Sequence, residues 1–178
     1  MTKQELRAIY RKKRSDIPEK TRMSYNSSLI EQILLKIDGL QHIAIFLPIE
    51  KFQEIDLKPL IVNKKFKWYA PISNFEDRSM QFVQVTQDSK IITNEFGIPE
   101  PKSEGAIAPD LLDAIVIPML IADKNGYRVG YGKGFYDAFL KKCRANCLKI
   151  GVSYFPPIEV ISDVEQHDEK IDICLVPN

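Results

Sequence analysis

Residues 123–137 hold the side chains of this sequence that are best suited to chemistry. Between residues 130 and 136 the chain reads Gly-Tyr-Gly-Lys-Gly-Phe-Tyr, so that three glycines alternate around a lysine. Glycine lets the backbone bend sharply and bring several N–H groups against one anion, and Lys133 adds a cation inside the loop. Neither a Walker A loop nor a dinucleotide fingerprint fits, because Gly134 follows the lysine and Phe135 stands in place of the third fingerprint glycine. The pattern indicates a phosphate-binding loop, with a glycine-rich surface turn as the alternative.

A second set of cations lies near the start of the sequence. Thr2 followed by Glu5 forms a capping-box pattern, and apolar residues then recur at helical spacing, so we expect a helix to begin there. Spacings of three and four residues place four basic side chains on one face of this helix: Lys3, Arg7, Arg11 and Arg14. Like charges do not favour a helix by themselves, so both a bound anion and a solvated stripe remain open.

The elements that must position these residues alternate between strand and helix patterns. A second helix is predicted from Asp16, as its N-cap, to Gly39, a third at residues 56–65, and a fourth at residues 135–142 after the glycine loop. Turn-rich loops are predicted at residues 73–77 and 87–109. Nearly continuous apolar runs predict parallel strands, and the strand segments are residues 42–48, 66–70, 80–86, 113–119, 148–154 and 171–176. This alternation predicts an α/β fold of the three-layer α/β/α, Rossmann-like kind, with a mostly parallel open sheet and its ligand crevice at the carboxyl ends of the strands.

Length and composition limit the class of protein. A chain of 178 residues favours one domain, residues 1–178, and a net charge of +1 argues against nucleic acid as the main partner. The longest apolar run, residues 114–122, is far shorter than the ~20 residues of a membrane span. Cys143, Cys147 and Cys174 form no convincing zinc set and are expected to be reduced thiols. We therefore expect a cytoplasmic protein with no membrane partner.

The glycine loop resembles the signature of the 5-formyltetrahydrofolate cyclo-ligases, which are also called methenyltetrahydrofolate synthetases. The resemblance rests on residues 125–128 and 130–137, and it extends in order to Lys3, Arg7, residues 54–56, residues 97–101, His167, Asp168 and Asp172. Two positions depart from the usual pattern. Tyr131 stands where many members carry an arginine, and Phe135 stands where tyrosine is common.

The resemblance implies an ATP-dependent ligase that phosphorylates the formyl oxygen of 5-formyltetrahydrofolate and closes the ring to 5,10-methenyltetrahydrofolate. It implies catalytic roles for Lys133 and Arg128, Mg²⁺ binding by Asp137 and Asp172, and folate binding by Glu54 and Tyr136. The ATP-binding residues that it implies are Lys3, Arg7, Arg128, Gly130, Tyr131, Gly132, Lys133, Gly134, Phe135 and Tyr136. The expected partners of this monomer are ATP and 5-formyltetrahydrofolate, including forms with a polyglutamate tail. The alternatives are a non-catalytic folate-binding or storage protein and a phosphosugar or CoA-type enzyme on a similar scaffold.

Overall fold

Three α-helices and ten β-strands make up the computed structural model, which describes residues 1–178. The helices are α1 (Lys3–Ser15), α2 (Glu19–Lys36) and α3 (Phe135–Leu140). The strands are β1 (His42–Ala44), β2 (Lys67–Asn74), β3 (Ser79–Val85), β4 (Ile91–Thr93), β5 (Pro99–Pro101), β6 (Ala114–Pro118), β7 (Ile121–Ala122), β8 (Arg128–Val129), β9 (Leu148–Val152) and β10 (Ile173–Leu175). None of the helices is long and apolar enough to cross a membrane.

The main sheet has six strands in the order β10-β9-β6-β1-β2-β3. All neighbours are parallel except β2 and β3, which form an antiparallel hairpin at one edge. Successive side chains of a strand point to opposite faces, and both faces are covered here. Leu29 and Ile33 of α2 pack in one apolar cluster with alternate residues of β1 and β6, and Phe139 of α3 packs with the other set. The predicted α/β fold with a mostly parallel sheet is confirmed.

Helix α1 begins where the sequence predicts. Thr2 is its N-cap, and both halves of the capping box with Glu5 are formed. Its buried Leu6 packs in a small cluster beside the β7–β8 hairpin, together with Leu120, Ile121, Val129 and Ile161. Since this hairpin leads directly into the glycine loop, α1 is fixed next to that loop.

Two predicted helices were wrong in their bounds. Asp16 is the C-cap of α1, and α2 starts after Pro18, whose fixed backbone suits the residue before a helix. Residues 56–65 form only a short 3-10 helix at Lys58–Val62, because Leu57 and Leu60 turn into the core and the chain then enters β2. The predicted strand at residues 113–119 is confirmed as β6, whose pairing ends at Pro118 because proline cannot donate a ladder hydrogen bond.

Two segments predicted to be loops also contain strands. β2 continues through Pro71 to Asn74. Proline has no backbone N–H, but β1 pairs only with Lys67–Tyr69, so no carbonyl group of β1 loses a hydrogen bond at Pro71. The segment of residues 87–109 contains β4 and β5, which pair antiparallel in a separate two-stranded ribbon. The high content of turn residues there reflects a short ribbon with exposed side chains on β4.

Candidate active site

The glycine loop and the cationic face of α1 meet in the structure. The Nε of Arg7 donates a hydrogen bond to the carbonyl oxygen of Gly130 at 2.9 Å. Gly132 has a φ of +82°, and a Cβ at that position would lie 3.1 Å from a terminal guanidinium nitrogen of Arg7. Gly134, with a φ of +75°, is the N-cap of the six-residue helix α3. Both the turn and the close approach of Arg7 therefore require glycine here.

Lys3 is held by the loop that precedes β10. Its Nζ forms an ion pair with Asp168, and its backbone N–H donates to Oδ1 of Asp163 at 2.6 Å. Although partial burial raises the pKa of Asp168, hydrogen bonds from the Glu165 backbone N–H and from Lys3 lower it overall. The carboxylate is therefore charged at neutral pH and fixes the lysine.

The basic stripe of α1 is not simply solvated. Arg14 is only 4% exposed, Lys3 and Arg7 are half-buried, and Arg11 lies over the ring of Tyr131 with its Cζ 5.5 Å from the ring centroid. The stripe faces carbonyl oxygens, aromatic rings and the Asp168 carboxylate. A stripe of this kind supports a binding role more than a purely solvated one.

Arg128 and Asp137 form a buried connection beside the loop. A terminal nitrogen of Arg128 donates to Oδ1 of Asp137 at 2.7 Å, and the side chain of Arg128 is 6% exposed. Glu169 joins both, since its carbonyl oxygen accepts from Arg128 and its N–H donates to Asp137 at 3.0 Å. The structure thus brings together two of the predicted site residues.

Lys133 is exposed, and its ammonium group takes part in no hydrogen bond or ion pair within the protein. Its neighbours Gly132 and Gly134 are exposed as well. This cation therefore has all of its donors available to a ligand, whereas the side chains of Lys3, Arg7 and Arg128 each have a partner in the protein.

Glu54 lies in a buried position after β1. It is 7% exposed, and its Oε2 accepts the Ile49 backbone N–H at 2.6 Å. Burial raises the pKa of Glu54. The Tyr131 hydroxyl, the Ile49 N–H and Arg14 favour the charged form and lower the pKa, but burial outweighs them. Burial raises the pKa of Tyr136, and the negative charge of Glu54 raises it further. The two predicted folate-binding side chains therefore lie within electrostatic range of each other.

Asp172 occupies a different environment from Asp137. It precedes β10 at the amino end of that strand, it is exposed, and its Oδ2 accepts the Lys149 backbone N–H at 2.8 Å. No three His, Cys, Asp or Glu side chains in residues 1–178 form a group that could hold a metal ion. Metal binding by Asp137 and Asp172 stays a prediction.

The sequence analysis missed an aromatic cleft of about 750 Å³ near α3. Phe75 and Phe96 stack there with ring centroids 4.0 Å apart, and Phe135 meets Phe75 edge-on at 5.0 Å. Glu100, which is 8% exposed, lies in the same lining and accepts the Ser73 backbone N–H at 2.8 Å. The signal that could have found it was an exposed Phe96 directly before the matching segment at residues 97–101.

Comparison with solved structures identifies the fold. The structure of 5,10-methenyltetrahydrofolate synthetase from Aquifex aeolicus superposes with a TM-score of 0.81, at 28% identity over 98% of this chain and 89% of that one. The 5,10-methenyltetrahydrofolate synthetase from Mycoplasma pneumoniae shares the fold with a TM-score of 0.77 at 18% identity, over 98% of both chains. The fold is shared with α/β enzymes of the ligase class.

Sequence comparison then gives the family. The 5-formyltetrahydrofolate cyclo-ligase family matches residues 1–177, and the chain belongs to this family. Among similar proteins, the 5-formyltetrahydrofolate cyclo-ligase of Mus musculus is 26% identical over 190 aligned positions, which cover 97% of this chain and 92% of the mouse protein. That of Haemophilus influenzae is 28% identical over 159 positions, covering 85% of each chain.

Proposed function

We propose that the protein converts 5-formyltetrahydrofolate to 5,10-methenyltetrahydrofolate with hydrolysis of ATP to ADP and phosphate. Family membership supports the folate substrate, and the cation-rich glycine loop supports a nucleotide partner. The observation that carries the proposal is the contact between Arg7 and the glycine loop, which joins the stripe of α1 to Gly130 and Gly132. A storage protein has no need for this concentration of positive charge around a bent backbone.

The chemistry that such a site must assist is the activation of an amide oxygen, which is a poor leaving group. The formyl oxygen attacks the γ-phosphorus of ATP, ADP leaves, and the product is an imidate phosphate. The second folate nitrogen then attacks the formyl carbon and loses its proton, and the oxygen departs as phosphate. Catalysis of such transfers depends mainly on positioning and on neutralising negative charge.

The cations of the site have separate proposed roles in this scheme. The ammonium group of Lys133 has no partner in the protein, so it would stay in contact with the phosphoryl group while that group is transferred. Lys3 and Arg7 would hold the polyphosphate, since Asp168 and the Gly130 carbonyl oxygen already fix them beside the loop. Arg128 would act from the buried side, next to Asp137. Residues 130–136 would line the nucleotide with backbone and ring atoms.

Magnesium ions are expected to accompany the nucleotide, and they would shield the charge of its phosphates. Hard oxygen ligands suit Mg²⁺, which takes few of them from the protein. Asp137 fits this use, because its two hydrogen bonds fall on Oδ1 and leave Oδ2 unengaged. Asp172 is the second proposed ligand, although its carboxylate already holds the Lys149 N–H.

Folate is proposed to bind between Glu54, Tyr136 and the aromatic cleft. A carboxylate at Glu54 accepts hydrogen bonds from the N–H groups along the edge of a pterin ring. Phe75, Phe96 and Phe135 offer flat apolar surfaces for a second ring of the substrate. Since the glycine loop adjoins both Tyr136 and Phe135, the formyl group would meet the phosphates at this boundary.

Absorbance tests the proposal directly. Purified protein mixed with 5-formyltetrahydrofolate, Mg²⁺ and ATP should develop the methenyl-folate absorbance band, and omission of ATP should prevent it. The alternative, a non-catalytic folate-binding protein, is favoured by one observation: the Tyr131 side chain contacts Arg14 and Phe52 and adds no cation to the loop. Folate binding without any ATP-dependent absorbance change would establish that alternative.

We further propose that residues 1–178 work as one domain and as a monomer, because both ends of this sequence contribute to one site through Lys3 and Asp168. The cytoplasm is the proposed location, where the three free thiols would remain reduced.

A further inference from the structure

Arg14 is a buried cation to which the proposed chemistry assigns no role. It lies in the last turn of α1 and is 4% exposed. Its guanidinium donates to the Tyr131 hydroxyl at 2.9 Å and to the Met119 carbonyl oxygen at 2.6 Å, and its Nε is buried without a partner. No carboxylate forms an ion pair with it. A buried charge in this state is costly unless a nearby opposite charge compensates it.

The opposite charge available to Arg14 is Glu54. Glu54 is 7% exposed and has the Ile49 N–H as a backbone donor. Burial raises the pKa of Glu54, and the groups that oppose this rise include the Tyr131 hydroxyl and Arg14. Phe52, two residues before Glu54, stacks on the Tyr131 ring, so the Glu54 segment lies beside the tyrosine that Arg14 contacts.

Tyr131 is suited to connect them. Its hydroxyl oxygen accepts from Arg14, which leaves the hydroxyl proton free to be donated towards Glu54. The ring is held by stacking on Phe52, with centroids 5.1 Å apart, and by Arg11 on the same side. A phenol whose oxygen is fixed by a guanidinium and whose ring is fixed by stacking has one orientation, and its proton is the donor available to Glu54.

We propose that Arg14 is a positioning residue that acts through the Tyr131 hydroxyl to hold Glu54 as an oriented carboxylate for the N–H edge of the folate pterin. This inference rests on the proposed function, which places the pterin at Glu54. The charged and titratable groups that act on Glu54 or respond to it are Arg14 from α1, Tyr131 from the glycine loop and Tyr136 from α3. The two tyrosines are neutral at pH 7, because burial and Glu54 raise the pKa of each.

The first test follows the Glu54 carboxyl carbon by NMR during a pH titration of the protein without ligands. In Tyr131→Phe, which removes one oxygen atom, and in Arg14→Met, which removes the charge, the carboxyl should titrate at higher pH than in the parent. Tyr154→Phe is the matched control, because Tyr154 is 5% exposed and its hydroxyl donates to Asn26 at 2.6 Å. It should leave the Glu54 titration unchanged.

The second test measures binding by calorimetry. Loss of the Tyr131 hydroxyl should raise the Kd for 5-formyltetrahydrofolate by roughly three-fold to ten-fold, with a larger effect at lower pH. The Kd for ATP should change less, because Tyr131→Phe keeps the backbone and ring atoms that are proposed to line the nucleotide. Arg14→Lys should restore part of the loss seen in Arg14→Met, because it keeps the charge.

An unaltered Glu54 titration in folded Tyr131→Phe would overturn the proposal, as would an equal shift in Tyr154→Phe. A shifted titration in a protein that binds no folate even as the parent would support the Arg14–Tyr131–Glu54 connection and reject the proposed function instead.

Discussion

At the scale of single residues, Lys133 and Glu54 represent opposite ways of preparing a charge for a ligand. Lys133 is exposed and unpaired, so it can move onto a phosphate that carries growing charge. Glu54 is buried and oriented, so it can only accept what fits its position. Mutations of these two residues should therefore have different signatures.

Replacement of Lys133 by alanine should lower turnover far more than stability. A lysine between two exposed glycines has little packing to lose, whereas loss of one preorganised electrostatic donor typically costs about 3 kcal/mol of transition-state stabilisation. Turnover measured by methenyl-folate absorbance should fall by about two orders of magnitude, with thermal unfolding unchanged. Lys64→Ala, at another exposed lysine without an ion pair, is the control. Equal activity of the two variants would remove Lys133 from the site.

Replacement of Glu54 by glutamine should separate the two ligands. A hydrogen bond to a charged group is worth about 1.5 to 3 kcal/mol, so the Kd for 5-formyltetrahydrofolate should rise roughly ten-fold to a hundred-fold. The Kd for ATP should remain nearly constant, since the proposed nucleotide contacts come from α1 and the glycine loop. Calorimetric titrations of both ligands check this. A loss of ATP binding alone would show that Glu54 belongs to the nucleotide site and not to the folate site.

Asp137→Asn and Asp172→Asn should both raise the Mg²⁺ concentration that gives half-maximal activity, because an amide keeps the shape of the carboxylate and loses its charge. A chelator should abolish the activity of the parent. Asp137→Asn should also lower stability, since Arg128 would be left buried without its anion. If both variants respond to Mg²⁺ as the parent does, the metal ligands lie elsewhere.

At the scale of elements, the sequence predicted well where a local pattern decides the structure. The capping box of Thr2 and Glu5 starts α1 as expected, and the apolar segments give the parallel strands. It failed where a tertiary contact overrides the pattern: Pro71 lies inside β2 because the neighbouring strand ends before it. The sequence around Pro71 does not show where the neighbouring strand ends, so no local pattern could predict that β2 continues through this proline.

The same limit applies to the candidate site. Its glycine loop and cations carry a pattern that the sequence displays, although their assignment to ATP depended on the family resemblance. The partnership of Arg14 with Tyr131 spans 117 positions of sequence, and the aromatic cleft joins Phe75 to Phe96 and Phe135 through the hairpin and the β4–β5 ribbon. These contacts between residues distant in sequence are set by tertiary packing, which cannot be read from the spacing of residues along the chain.

The contact between α1 and the glycine loop yields a prediction at this scale. Alanine at Gly132 should cost about 1 to 2 kcal/mol through its left-handed backbone, and it should also push away the guanidinium of Arg7. Gly39→Ala is the matched control, because Gly39 has a φ of +84° and no atom within 4 Å of an added Cβ. Both variants should unfold at lower temperature. Only Gly132→Ala should bind ATP more weakly, by about ten-fold, and equal ATP affinity would mean that Arg7 does not contact the nucleotide.

At the scale of the whole molecule, the buried carboxyl of Glu54 should affect stability in a pH-dependent way. Its pKa in the folded state is raised above the unfolded value of 4.5, so the folded state binds the proton more tightly. The carboxyl therefore costs no stability below pH 4.5, and its destabilising effect grows as the pH rises from there towards the folded pKa. The buried carboxyl of Glu54 thus lowers the global stability of the protein at neutral pH.

Glu54→Gln should consequently unfold at higher denaturant concentration than the parent at pH 7, while the two proteins converge near pH 4.5. Denaturant titrations at both pH values measure the difference. A variant that is less stable than the parent at pH 7 would show that the Ile49, Tyr131 and Arg14 interactions outweigh the cost of burial.

The wide separation of the site's parts along the chain has a consequence for how the protein is made. The Lys3 backbone N–H and its acceptor Asp163 are 160 residues apart. At a synthesis rate of about 5 to 20 residues per second, Lys3 is synthesised roughly 8 to 30 s before the segment that fixes it. During that interval the sheet can grow strand by strand, but the nascent chain has an exposed basic helix and no completed nucleotide site. Catalytic competence would thus arise only after Asp163 and Asp168 have been translated and have bound Lys3.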